Sequence, residues 1–202
     1  MKGFKFVFVG LACMLFPIHA GAEAPDEFIS EIVDLLGERL EGRKKELSKD
    51  ADALYALIDD ILLPRFDRRR AAKQVLATHL RAASDEQFER FVSAFYNILI
   101  QRYADGILEF EHDRIKVLPF RGDLKRKIVI VKTRVDIEGG KTIRVNYKLV
   151  PHDSSWMMFD VSIEGVSYIR NFRAEFNSEI NASSLEEVVV RLEDESSGNS
   201  SE

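Results

Sequence analysis

The tightest constraint on the fold is a change of hydrophobic period inside residues 156–176, WMMFDVSIEGVSYIRNFRAEF. Met157, Phe159, Val161 and Ile163 alternate with Asp160, Ser162 and Glu164, the period of a strand with one buried face. Gly165 breaks the strand. Beyond Ser167 the period becomes helical: Ile169, Phe172 and Phe176 fall on one stripe, with Arg170, Arg173 and Glu175 off it. A strand that runs into a helix, each with an apolar face, places sheet and helix around one interior.

The segments before this switch divide into helices and then strands. Phe28, Ile29, Ile32, Val33, Leu36 and Leu40 form an amphipathic stripe, with Asp26 as the expected N-cap. A polar link (residues 41–49) precedes a second stripe of Leu54, Leu57, Ile58, Ile61 and Leu62, which Pro64 ends. Asp67 caps a third helix with Ala71, Val75, Leu76 and Leu80 inward. Ser84 and Gln87 make a capping box for a long helix. Its ridge is Phe88, Phe91, Phe95, Leu99 and Tyr103, and Asp105 and Gly106 are expected to stop it.

Residues 107–110, 115–118 and 128–137 read as strands. Val129, Val131, Thr133, Val135 and Ile137 face inward on the last of these. Gly139 and Gly140 make a hairpin turn into a return strand with Ile143, Val145, Tyr147 and Leu149 inward. A final helix carries Leu185, Val188, Val189 and Leu192, and residues 193–202 are expected to be a disordered acidic tail. Helices first, an antiparallel meander next and a closing helix pair define an α+β fold, with helices packed on one face of a curved antiparallel sheet.

Residues 1–22 stand apart. Lys2 and Lys5 precede an apolar run and a small-residue motif at Ala20, Gly21 and Ala22, the pattern of a secretory signal cleaved after Ala22. The single cysteine, Cys13, leaves with it, so the exported chain stands without disulfides. No later segment approaches a membrane-spanning length, and residues 23–192 are expected to form one soluble domain. With 34 acidic against 29 basic side chains, nucleic-acid binding is disfavoured.

Chemistry-bearing patterns are sparse. His79, His112 and His152 lack metal-ligand spacing, and no phosphate-loop, dinucleotide or nucleophile-elbow motif occurs. Asp160 and Glu164 could form a carboxylate pair, but by pattern they lie on the wet strand face, solvated or ion-paired. Arg68, Arg69, Arg70 and Lys73 cluster at a helix start, where they oppose the dipole. They read as a solvated face or as a docking patch for an acidic partner or phosphate head groups.

The ordered motifs bring these readings together: Leu62-Leu63-Pro64-x-Phe66-Asp67; Val75-Leu76 through Arg81-x-Ala83-Ser84; Gln87 with Phe91, Phe95, Leu99 and Tyr103; Trp156-x-x-x-Asp160; Ile163-Glu164-Gly165-x-Ser167; and Asn171-x-Arg173-x-x-Phe176. In this order the chain resembles the MlaC family of periplasmic phospholipid-binding proteins, also known as the toluene-tolerance auxiliary family. Two departures are Ala77, where the family usually has glycine, and Leu80, where it usually has tryptophan.

The resemblance implies a non-enzymatic periplasmic shuttle with no cofactor and a phospholipid as cargo. It would run between an inner-membrane ABC transporter with an MCE-type subunit and an outer-membrane lipoprotein–porin complex, maintaining outer-membrane lipid asymmetry. A monomer is the simplest state for such a carrier. The tails would lie in an apolar cavity between sheet and helices. The expected lining is Phe66, Leu76, Leu80, Phe91, Phe95, Leu99, Tyr103, Ile169 and Phe172 from the helical layer, with Val131, Val135, Val145, Tyr147, Leu149, Met157, Phe159, Val161 and Ile163 from the sheet. The alternatives are a periplasmic adaptor with a filled core, its docking patch at Arg68, Arg69, Arg70 and Lys73, and a small cone-shaped hydrolase or isomerase using Asp160 or Glu164.

Overall fold

Local sequence signals set most element boundaries in the computed structural model, which describes residues 23–109, 111–137 and 139–198. The expected signal peptide therefore lies outside the described residues. The helices are α1 (Pro25–Leu40), a single turn α2 (Lys44–Leu47), α3 (Ala51–Leu62), α4 (Arg68–Leu76), α5 (Asp85–Leu108), α6 (Tyr168–Ala182) and α7 (Leu185–Ser196). The strands are β1 (Ile115–Val117), β2 (Val129–Ile137), β3 (Lys141–His152), β4 (Ser155–Ile163) and β5 (Val166–Ser167).

Caps begin several helices. The Asp67 carboxylate accepts the Arg70 N–H at 2.9 Å, and Ser84 and Gln87 exchange the two bonds of a capping box, each at 3.1 Å. Helix α1 differs from expectation: Pro25 occupies its first turn and Ala24, not Asp26, is the N-cap. Helix α5 runs through Gly106 to Leu108, so residues 107 and 108 are helical where a strand was expected. A Cβ at Gly106 would meet nothing within 4 Å, and the residue sits on the exposed side, where a helical glycine costs only about 1 kcal/mol. Helix α7 extends to Ser196, into the segment expected to be disordered, because Glu193 and Glu195 are held by Arg90 and Arg191 at 2.6 Å.

The five strands pair in sequence order, all antiparallel. On one face Val129, Leu149 and Met158 lie side by side, as do Val131, Tyr147 and Val161, then Thr133, Val145 and Ile163. A bulge separates these rows: Lys148 pairs with Asp160 and Leu149 with Met158, leaving Phe159 as the extra residue. An extra residue reverses the side-chain phase. The expectation that Met157 and Phe159 share a face with Val161 and Ile163 is therefore corrected: before the bulge Met158 takes the inward position, and Met157 pairs with Val150 on the opposite face. Asp160, expected on a wet surface, is only 2% exposed.

Helix α5 is the centre of the helical layer. Phe91 and Phe95 stack with centroids 5.7 Å apart, and Phe172 and Phe176 of α6 meet Phe95 edge-on at 5.2 and 6.2 Å. All four rings are buried, each contributing roughly 2–3 kcal/mol by removal from water. Helix α7 covers another side of α5 with Val188, Val189 and Leu192, all fully buried. The chain start is pinned to the sheet by Trp156, whose Nε1 donates to the Glu23 carbonyl at 2.7 Å. Phe66 bridges to Met158 at the β4 edge, where the Asp67 N–H donates to the Met158 carbonyl at 2.7 Å.

Candidate functional site

Between α3, the C-terminal half of α5 and β4 lies a hollow of about 110 Å³. Ile58 and Leu62 of α3 form one wall; Tyr96, Leu99, Ile100, Tyr103, Ala104 and Ile107 of α5 form another; Phe66, Met158, Val161 and Tyr168 complete it. The lining is carbon almost throughout. Here residues of α3 and α5 meet the inward row of β4 near its bulge, and the three surfaces leave a space between them.

Three tyrosines, Tyr96, Tyr103 and Tyr168, contribute to the wall. Tyr103 stacks on Tyr168 with centroids 4.3 Å apart and planes 9° apart. Tyr147 lies nearby on β3, in the row of Val131 and Val161. Burial raises the phenol pKa of Tyr103, Tyr147 and Tyr168, so they present neutral hydroxyl groups. Tyr96 is buried deeper; burial first, then the charge of Asp59, pushes its phenol up strongly. The Tyr96 hydroxyl and Asp59 Oδ1 are both buried, and among the described residues neither has a well-aligned hydrogen bond, although the two groups interact with each other.

The expected lining residues separate into groups. Phe66, Leu99, Tyr103 and Val161 line the hollow. Val131, Val145 and Leu149 are buried on the same face of the sheet, while Val135, Tyr147 and Ile163 are half-buried there. Leu76, Phe91, Phe95, Ile169 and Phe172 are buried in the helical layer away from the hollow, and Leu80 sits half-buried in the 3₁₀ turn after α4. Met157 and Phe159 face the other side of the sheet. Sequence reasoning missed Ile58, Leu62, Tyr96, Ile100, Ala104, Ile107, Met158 and Tyr168 as lining residues. A second apolar stripe on α5, running Val92, Tyr96, Ile100 or Leu99, Tyr103 and Ile107, was the available signal.

The two carboxylates considered for acid–base work have structural partners outside the hollow. Asp160 accepts from Ser167 Oγ at 2.8 Å, from the Ile169 N–H at 3.3 Å and from Lys148 Nζ at 2.8 Å, which ties β3 and β4 to the start of α6. Glu164, at φ 48° in the turn before Gly165, accepts from the Arg144 N–H and from its guanidinium at 2.9 Å. Those bonds hold its carboxyl below the ordinary range. The basic cluster is also engaged: Arg70 pairs with Asp67 and Arg69 with Glu89, while Arg68 and Lys73 lie over the rings of Tyr96 and Phe88 at 5.3 and 5.8 Å. No cluster of metal-ligating side chains occurs among the described residues. What the site offers is an apolar space walled in part by the rings of Tyr96, Tyr103 and Tyr168.

Known proteins resemble this chain in sequence and fold. A toluene tolerance protein, Ttg2D, from Pseudomonas putida is 28% identical over 172 residues, covering 83% of this chain and 79% of the relative. The intermembrane phospholipid transport system binding protein MlaC of Haemophilus influenzae is 20% identical over 200 residues, covering 97% of this chain and 94% of the relative. The phospholipid-binding protein of Ralstonia solanacearum, solved in complex with a phospholipid, superimposes with a TM-score of 0.77 over 89% of this chain and 100% of that one, at 18% identity. At that identity the likeness establishes the fold. The model of the MlaC protein family matches residues 30–194, and the chain belongs to that family.

Proposed function

We propose that this protein is a periplasmic phospholipid carrier, exported by its N-terminal signal, that takes lipid between an inner-membrane MCE-type transporter and an outer-membrane lipoprotein–porin complex. The observation that carries this reading is the apolar hollow where sheet and helices meet. Exposing lipid tails to water costs roughly 0.8 kcal/mol per methylene, so a two-chain lipid with about thirty of them needs a continuous apolar cover to cross an aqueous space. The names of the Haemophilus and Ralstonia relatives, which specify phospholipid transport and phospholipid binding, point the same way.

At about 110 Å³ the hollow is smaller than ordinary ligand pockets, which span roughly 300–1,000 Å³. Loading therefore requires its walls to part. The walls suited to this are α3 with the C-terminal half of α5 on one side and β3–β4 on the other. Tyr147, Val161, Ile163, Leu99 and Ile107 remain half-buried on these walls. Opening would expose side chains that a lipid tail then covers again.

The test is mass spectrometry of organic extracts of the protein isolated from the periplasm. Phospholipid near one molecule per chain is expected, reduced in Val161→Glu. Protein that carries no phospholipid when isolated and takes none from vesicles would overturn the proposal.

A further inference from the structure

The sheet face turned away from the hollow carries an organised surface that lipid carriage does not use. Lys116, Arg134 and Arg144 stand directly opposite one another across three strands. Like charges in that arrangement destabilise a sheet. Lys132 precedes Arg134 by two residues on the same face, and Ile130 faces Lys148 there. Residues 118–126 fold against this face. The Leu118 N–H donates to the Lys132 carbonyl at 2.9 Å, and the Asp123 carboxylate accepts the Lys125 N–H at 2.9 Å. The Phe120 ring lies so close to Gly122 that a Cβ there would sit 2.5 Å from it.

Between this loop and the sheet runs a groove of about 890 Å³, with Phe120, Ile128 and Ile130 as apolar lining and Arg121, Arg126 and Lys132 as cations. Leu124, Ile128 and Ile130 are 57%, 40% and 45% exposed. Of the carboxylates on this side, Asp160 pairs with Lys148 and Glu164 with Arg144, while Asp136 accepts from the Thr142 hydroxyl and Asp123, which lines the groove, from the Lys125 N–H, so cations outnumber them here. Among the described residues, Arg121, Lys125, Arg126, Lys127, Lys132 and Arg134 have no carboxylate partner. A chain with more acidic than basic side chains thus concentrates unpaired cations, with exposed aliphatic groups among them, on one face.

We propose that this face docks the protein on the surface of an anionic phospholipid bilayer, with a lipid phosphate among Arg121, Arg126 and Lys132, and Leu124, Ile128 and Ile130 against the acyl boundary. Cations attract the anionic surface and aliphatic side chains add apolar burial, the two terms of interfacial binding. The spread of cations over a sheet face and a loop suits a laterally mobile field of phosphates. Because the remainder of the chain is acidic, an anionic membrane also orients it, attracting this face and repelling others. The groove and the hollow lie on opposite faces of the sheet, so docking and cargo binding can fail independently.

The test is flotation of the purified protein with vesicles of phosphatidylcholine, with and without phosphatidylglycerol, at low and physiological salt. Binding to the anionic vesicles is expected to be at least about tenfold tighter and to weaken with salt. Arg126→Glu with Lys132→Glu should lower it by at least about tenfold, and Leu124→Ser by a smaller factor, while Lys45→Glu on exposed α2 leaves it unchanged. Thermal unfolding is followed in parallel. If the double variant unfolds, Lys125→Glu with Lys127→Glu, both on the exposed loop, takes its place. Equal binding to neutral vesicles, or undiminished binding by the folded variants, overturns the proposal. So does an absence of vesicle binding combined with Arg126-dependent binding of polyglutamate, which would assign the face to an acidic polypeptide.

Discussion

The two halves of α5 meet different neighbours. In the N-terminal half Phe91, Val92, Phe95 and Ile98 are at most 4% exposed. They pack against α6 and α7, where helix ridges enter helix grooves. In the C-terminal half Leu99, Tyr103, Ile107 and Leu108 are only half-buried, and the opposing wall is the bulged sheet. One helix therefore anchors a solid layer at one end and borders a loose one at the other. The solid end fixes the frame, and the loose end borders the hollow.

The largest expected effect tests the solid half. Phe95 touches Phe91, Phe172 and Phe176, so Phe95→Ala should cost about 3–5 kcal/mol in urea unfolding. Leu99→Ala, one turn away but beside existing space, should cost under about 2 kcal/mol, since truncation there enlarges a hollow already present. Equal costs would remove the distinction between the halves.

Enlargement should show the reverse contrast. Ala72 on α4 is fully buried, and Ala72→Leu should cost at least about 1–3 kcal/mol through overpacking. Val161→Phe directs its added volume into the hollow, and its cost should stay below about 1 kcal/mol while the bound phospholipid falls. A Val161→Phe protein as strained as Ala72→Leu, by thermal melting, would mean that the hollow has no room to give.

A smaller effect tests how much strain the solid side holds. Ala77, directly after α4, has φ 49° and ψ −108°, a conformation that a side chain opposes. Ala77→Gly should therefore stabilise by about 0.5–1 kcal/mol despite the extra freedom of the unfolded chain, raising Tm by a few degrees. A lower Tm would show that the turn accommodates its methyl group without strain.

Much of the solid frame was legible in the sequence. The caps at Asp67 and Ser84 each use the side chain that the pattern suggests, and Gly139 and Gly140 adopt the positive φ values of a tight hairpin. The bulge was not legible, for a specific reason. Trp156, Met157, Met158 and Phe159 are apolar in both phases, so alternation before Asp160 assigns no face. The hollow was only partly legible because α5 carries two apolar stripes, and composition does not tell which stripe meets a helix and which a sheet. The helical part of the expected tail, to Ser196, was not legible from its acidic, Ser-rich composition, since its partner Arg90 lies about a hundred residues earlier in the chain; residues 199–202 lie outside the described residues.

The smallest effect is a change in pH profile, and it separates the two sides by the end of the scale at which each weakens. On the solid side Arg90 bridges Glu186 and Glu193, both at 2.6 Å, fastening α7 to α5. The Glu186 carboxyl is held below its ordinary range by the Gln87 amide and then by Arg90, and that of Glu193 by Arg90. Depressed carboxyl groups contribute stability that is complete above the unfolded pKa, about 4.3, and is lost as pH falls through their lower folded values. Beside the hollow, Tyr103, Tyr147 and Tyr168 have raised pKa values, so their contribution is complete below the unfolded pKa, about 10, and is lost as pH rises through the folded values. Urea midpoints measured across both limits should show Arg90→Met flattening the acid limb and leaving the alkaline one unchanged, with Tyr168→Phe doing the opposite. If each substitution instead shifts both limbs alike, the two sides unfold through the same contacts, and the division of α5 does not extend to the stability of the folded chain.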